Sequence, residues 1–153
     1  MTVSAPPITG QDINLAARAT RKALELLLAE QGASFPPLAT MNAIVARGAS
    51  FQREELVRFL GRALDLDAQT VAMILHGLQT RGLVRDVAST SDATIHVELT
   101  PEGAAEHQRL NAIVGGLTAE LYRDFDSDDL ATARRVLVTL TERAEARVAA
   151  SLS

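Results

Sequence analysis

The sequence has no cysteine, which removes disulfides, thiolate nucleophiles and cysteine-ligated zinc and suits a reducing compartment. It has no tryptophan, and aromatic residues make up only 3% of its 153 residues. A core must then be assembled from Leu, Val, Ile and Ala, the composition of packed helices. No apolar run approaches the ~20 residues that span a bilayer, and the opening MTVSAPPITG lacks the charged and apolar regions of a secretory signal. The expectation is a cytoplasmic protein with no membrane partner. An excess of positive charge is lacking too. Fifteen Lys and Arg face 19 Asp and Glu for a net charge of −4, and the only lysine is Lys22. No global field draws such a chain toward nucleic acid or anionic lipid, so any DNA contact has to rest on a local patch.

What is present is helical periodicity in a chain that is 47% apolar, enough for one substantial core but short for two independent ones. Residues 11–31 place Ile13, Ala17, Leu24, Leu27 and Leu28 on one helical face, and Gly32 ends the pattern. Ser34 followed by Phe35, Pro36 and Pro37 starts a second helix, which runs to about Arg47 and stops at Gly48. After the connector GAS, residues 51–64 form a third helix through Phe51, Leu56, Phe59, Leu60 and Leu64. Asp67 then caps a fourth, with Leu66 placed to pack on Val71 as a hydrophobic staple. In that helix Val71, Ile74, Leu75 and Leu78 face inward, and Gly82 occupies the left-handed stop.

From Leu83 to Thr100 the period drops to two. Ile95, Val97 and Leu99 alternate with Thr94, His96 and Glu98, and a polar turn at Ala88–Asp92 precedes them, which predicts a two-stranded hairpin with one buried face. Thr100-Pro101-Glu102 reads as cap, first residue and first-turn acid of a long fifth helix. DFDSDD breaks the chain and caps a sixth helix, on which Leu130, Ala133, Leu137, Leu140, Ala144 and Val148 make a heptad-like seam. That seam favours helix exchange between two subunits.

Thr70-Val71, Leu75, Leu78 and Arg81-Gly82-Leu83-Val84, followed by a hairpin and Leu99-Thr100-Pro101-Glu102-Gly103, resemble the MarR family of bacterial winged helix-turn-helix regulators. The order of six helices and one wing extends the resemblance over nearly the whole chain. It implies a mostly α fold with a small β-hairpin wing, a winged helix-turn-helix over residues 34–100 embedded in a helical dimerisation frame. The frame comprises residues 1–33 and 101–153, and the parts together form one compact domain. It also implies a homodimer whose two fourth helices enter successive major grooves of double-stranded DNA. A small apolar or aromatic ligand would bind among helices 1, 2 and 5, with Met41, Val45, His107 and Asn111 as its candidate contacts.

On this reading Gln69, Thr70, Met73 and His76 face base edges or phosphates, Arg53, Arg81 and Arg85 hold the backbone, and Ser89, Thr90 and Ser91 form the wing tip. The sequence also departs from the family. The outward positions Gln69, Met73, His76 and Thr80 carry no fixed charge, where family members usually place Lys or Arg. Asp92 is followed by Ala93 and Thr94 instead of the wing arginine. Residues 34–100 hold six arginines against seven carboxylates, a net of −1. Phosphate contacts carry most of the affinity of ordinary DNA binders, so weak binding follows unless Arg53, Arg58, Arg62 and Arg85 gather on one side. The outward Ala72, Met73 and Gly77 equally suit a thymine methyl, another protein element or a ligand.

Other chemistry is sparse. His96 and Glu98 share a strand face without a third metal ligand, and DFDSDD lacks the central Gly and terminal Glu of a calcium loop. No metal or cofactor is expected, and no phosphate-cradling loop or nucleophile with its base is visible. Nothing demands an enzyme, although an inherited pocket can host a reaction without a readable motif. The alternative to a ligand-responsive regulator is therefore a protein of the same fold that has lost DNA binding. It would act as a small-molecule-binding or catalytic protein through the inter-helix pocket, or as a protein-interaction partner.

Overall fold

The computed structural model describes residues 7–152, so residues 1–6 and 153 of the expected frame lie outside the described residues. Among the described residues, six helices and three strands follow one another as α1 (Gly10–Glu30), α2 (Phe35–Ala46), β1 (Ser50–Gln52), α3 (Arg53–Leu64), α4 (Ala68–Thr80), β2 (Val84–Ala88), β3 (Ile95–Leu99), α5 (Pro101–Leu121) and α6 (Ser127–Ser151). The chain divides into two compact units, one up to Leu117 and one from Thr118.

In the first unit α2 is the central helix. Its sequence FPPLATMNAIVA is apolar almost all round, as a helix packed on several sides must be. Leu38, Met41 and Ile44 from α2 meet Leu56 and Leu60 of α3, Val71, Leu75 and Leu78 of α4, and Phe51 and Val97 of the sheet, with Leu28 and Leu110 contributed by α1 and α5. The one buried polar side chain among the described residues, Thr40, returns its hydroxyl to the Pro36 carbonyl at 2.9 Å. A hydroxyl left unbonded there would cost stability.

The sheet has the order β1-β3-β2. The sequence predicts only the β2-β3 hairpin. Ser50 to Gln52, read as connector and helix start, instead pair antiparallel with β3, Phe51 standing opposite Val97. Three residues are too few to display a period of two, and it is the buried Phe51 side chain that anchors them. In consequence α3 begins at Arg53, with Gln52 as its cap. On β3 the expected buried face is shorter than its alternation suggests: Val97 is fully buried, Leu99 half-buried, and Ile95, next to the wing turn, is 47% exposed.

The stop after α4 forms as its residues predict. Gly82 takes φ +70°, its N–H bonds to the Gln79 carbonyl at 2.9 Å, and the Leu83 N–H bonds to the Leu78 carbonyl at 2.9 Å. This pair of bonds requires a left-handed residue at its centre. It reverses the chain directly into β2. Thr100 then caps α5, its Oγ1 accepting from the Gly103 N–H at 3.0 Å while donating to the Gly82 carbonyl at 2.5 Å. Gly103 lies against Leu83 so closely that a Cβ would overlap the Leu83 carbonyl. The RGL and LTPEG segments, far apart in sequence, are thus one structural joint.

In the second unit the break between helices contains Asp124 at φ +68° and a cap at Asp126, whose Oδ1 accepts from the Asp128 N–H at 2.7 Å. DFDSDD is a helix cap, as its composition predicts. No described residue of α6 is buried within the single chain, and Leu137, Leu140 and Val148 of its seam are exposed.

Candidate nucleic-acid interface

The α4 helix is built for presentation. Asp67 Oδ1 accepts from the Thr70 N–H at 2.8 Å, and hydrogen bonds led by that backbone contact hold its carboxyl below the ordinary carboxylate range. Leu66 and Val71 both join the core, as the staple requires. Gln69, Met73, His76 and Thr80 are exposed, Met73 at 68%. Thr70 is half-buried, and with Met73, Ile74 and Gly77 it lines a shallow groove of about 340 Å³. The Thr80 hydroxyl turns back to the His76 carbonyl at 2.9 Å, which engages its proton within the helix.

The three arginines expected on a phosphate backbone are each held by an acid. Arg53 Nη1 sits 2.7 Å and 2.9 Å from the two oxygens of Asp86. Arg85 reaches Glu98, its cross-strand neighbour, at 3.4 Å. Arg81 stands 4.0 Å from Glu106. Glu106 is gripped more firmly by Arg109, at 2.8 and 2.9 Å, and that hydrogen bond is the main reason its carboxyl stays below the usual range. Of the arginines foreseen as a possible cluster, Arg53 and Arg85 go to these pairs. Arg58 and Arg62 share a cavity wall with Arg47.

The wing tip is a self-bonded turn. Ser89 N–H donates to the Thr94 carbonyl at 2.8 Å, and the Ser89 and Ser91 hydroxyls lie 3.0 Å apart, with Thr90 exposed between them. Asp92 accepts from Thr94 through Oγ1 at 2.6 Å and through the backbone at 3.1 Å. Thr94 and Ser89 side-chain bonds lower its carboxyl to about 2.

A second concavity, of about 670 Å³, opens between α2 and α5. Val45, Ala49, Leu99 and Ala104 give it an apolar wall, and His107 and Asn111 supply polar groups. Three of the four predicted ligand contacts, Val45, His107 and Asn111, meet there. The fourth, Met41, is 1% exposed and belongs to the core instead, because α2 turns it toward α3 and α4. His107 Nε2 is 2.8 Å from Asn42 Oδ1 and 2.7 Å from Asn111 Nδ2. A single ring nitrogen cannot donate to the first and accept from the second at once, so the neutral ring serves one amide or the other. Burial pushes the His107 imidazole below its ordinary value.

No family model and no curated protein matches this sequence, but solved structures do. The chain is similar to the transcriptional regulator PA3341, with TM-score 0.77 and 24% identity over 89% of this chain and 97% of that one. It is similar to a mutant of E. coli MarR in complex with operator DNA, with TM-score 0.69 and 22% identity over 86% and 91%. The M. tuberculosis regulator MosR in complex with DNA superposes with TM-score 0.65 and 24% identity over 92% and 98%. The chain has the MarR winged-helix fold.

Within this MarR fold the sequence gives no sign of Asn42, which sits one helical turn before Val45 and has its Oδ1 2.8 Å from His107 Nε2. It also overlooked the proximity of Arg85 to the α2-α5 cavity, whose lining it joins. Helical spacing flags neither, because both contacts are made between elements distant in sequence. No helix among the described residues is long and apolar enough to cross a membrane.

Proposed function

We propose that this chain is a homodimeric transcriptional regulator that reads double-stranded DNA through α4 and the wing, and that a small apolar or aromatic ligand in the α2-α5 cavity modulates it. The observation that carries the reading is the exposed, capped outward face of α4 in a fold shared with two regulators solved on DNA. Residues 34–100 are the reading region, and the chain ends, residues 1–33 and 101–153, are the dimerising frame. Gln69, Thr70, Met73 and His76 meet the major groove, and Ser89, Thr90 and Ser91 meet the flank. Arg53, Arg81 and Arg85 contribute to backbone contact only after exchanging their carboxylate partners for phosphates. The apolar wall and the His107-Asn111 pair suit a ligand with a hydrophobic body and one hydrogen-bonding group.

A second reading has its own support in those ion pairs. A protein of this fold whose three candidate phosphate-binding arginines each already lie within ion-pair distance of a carboxylate is, on this reading, one that has left DNA and kept only the cavity, as a small-molecule-binding or catalytic protein. Binding to mixed genomic DNA, titrated from low to high salt, separates the two. A regulator binds at low salt with a steep salt dependence, and the absence of binding at low salt removes the first reading. For a regulator, the two α4 axes of the dimer stand about 34 Å apart, one DNA turn.

A further inference from the structure

We infer that Arg47, Arg58 and Arg62 form a binding site for a phosphate group on the face of α3, apart from the outward face of α4. The three side chains line one cavity of about 340 Å³ together with Phe51, Phe59 and a single carboxylate, Glu55. Among the described residues, none of these three arginines has a carboxylate within ion-pair distance, unlike Arg53, Arg81 and Arg85. Even Glu55, three residues before Arg58 and so spaced for a helical ion pair, makes none. A chain of net charge −4 thus gathers three guanidiniums around one carboxylate and leaves all three without an ion-pair partner among the described residues. Arg58 and Arg62 are four residues apart on one helix, a like-charge spacing that disfavours the helix. An anion in the cavity would relieve that repulsion.

The aromatic rings organise the site. The Arg47 guanidinium lies 4.7 Å from the centroid of Phe51, a cation–π distance, and Phe51 packs 6.0 Å from Phe59. Phe51 is held in the core through β1, so Arg47 rests on a fixed surface. Planar guanidinium forks suit the oxygens of phosphate better than ammonium groups do. A free phosphate or phosphomonoester and a DNA backbone phosphate present the same chemistry.

The test follows the side-chain Nε–Hε signals of Arg47, Arg58 and Arg62 by NMR at constant ionic strength, with inorganic phosphate in one arm and a short random-sequence duplex in the other. The expected result is a saturable shift of all three signals in at least one arm. In the Arg58→Gln/Arg62→Gln variant, affinity for that probe falls about tenfold or more. A response to inorganic phosphate assigns the site to small phosphorylated ligands, and a response to the duplex alone assigns it to the DNA backbone. The inference is overturned if neither probe moves the signals, or if an Arg134→Gln/Arg135→Gln control on α6 weakens binding equally. Because the phosphate arm does not depend on α4, the site can hold while the regulator reading fails, and the reverse.

Discussion

Arg53 spans from the start of α3 to β2 and places one guanidinium nitrogen 2.7 Å from Oδ1 and 2.9 Å from Oδ2 of Asp86. The pair is partly exposed, so solvent and salt weaken it, and it competes with any phosphate for the same cation. Asp86→Asn removes that competitor. On the regulator reading, the variant binds DNA more tightly at low salt. Its plot of log affinity against log salt steepens by about 0.9, the increment of one additional phosphate contact. Fluorescence anisotropy across a salt series measures it, and an unchanged slope rules Arg53 out as a backbone contact.

Gly103 is required by the approach of α5 to the chain after α4. A Cβ at that position would overlap the Leu83 carbonyl and come within 2.8 Å of its carbon, and both belong to backbone that two elements hold in place. Gly103→Ala is therefore expected to destabilise the fold by roughly 3 kcal/mol or more, above the usual range for overpacking because the clash is with main chain. Urea denaturation followed by circular dichroism gives the value. A loss below about 1 kcal/mol would mean that α5 can move away freely.

Thr100 serves the same joint through a side chain. Thr100→Ala removes the acceptor of the Gly103 N–H and the donor to the Gly82 carbonyl, at an expected cost of about 1 kcal/mol or somewhat more. Thr100→Ser keeps both bonds and should recover most of it. Equal losses in the two variants would show that the methyl group, not the hydroxyl, is what matters.

His107 is the group whose ionisation is expected to touch the α2-α5 cavity. Its folded value lies below the ordinary 6.5 because burial disfavours the charged ring. The unfolded chain then binds the proton more readily, so stability rises with pH across this window. The contribution is present above pH 6.5 and is lost as pH falls through the lower folded value. A titration of the ring signals by NMR should give a midpoint below 6.5, with ligand binding weakening in parallel as the charged ring turns away from the Asn111 amide. A midpoint at or above 6.5 contradicts the burial argument.

Much of the fold was legible along the chain because its signals are local. The Asp67 cap, the Leu66–Val71 staple and the Gly82 stop each involve residues within six positions of one another; the cap and the stop formed where their residue types called for them, and Leu66 and Val71 both pack in or against the core. β1 escaped notice because Ser50 to Gln52 become a strand only by pairing with residues 96–98. Met41 and Asn42 show the same limit at the cavity. Adjacent on α2, they are separated by which side of the helix meets a neighbour: Met41 enters the core, and Asn42 comes within hydrogen-bond distance of His107.

The sequence by itself determined the order of the six helices and the β2-β3 hairpin and the outward face of α4, since these follow from periods of 3.6 and 2 and from capping chemistry. It also determined that α4 carries no fixed charge on that face. Where the positive charge resides was decided only by the tertiary structure. Arg53, Arg81 and Arg85 meet Asp86, Glu106 and Glu98, while Arg47, Arg58 and Arg62 are brought together around one cavity. Net charge is additive along a chain, but the field at a surface depends on distances between side chains, and folding alone sets those distances.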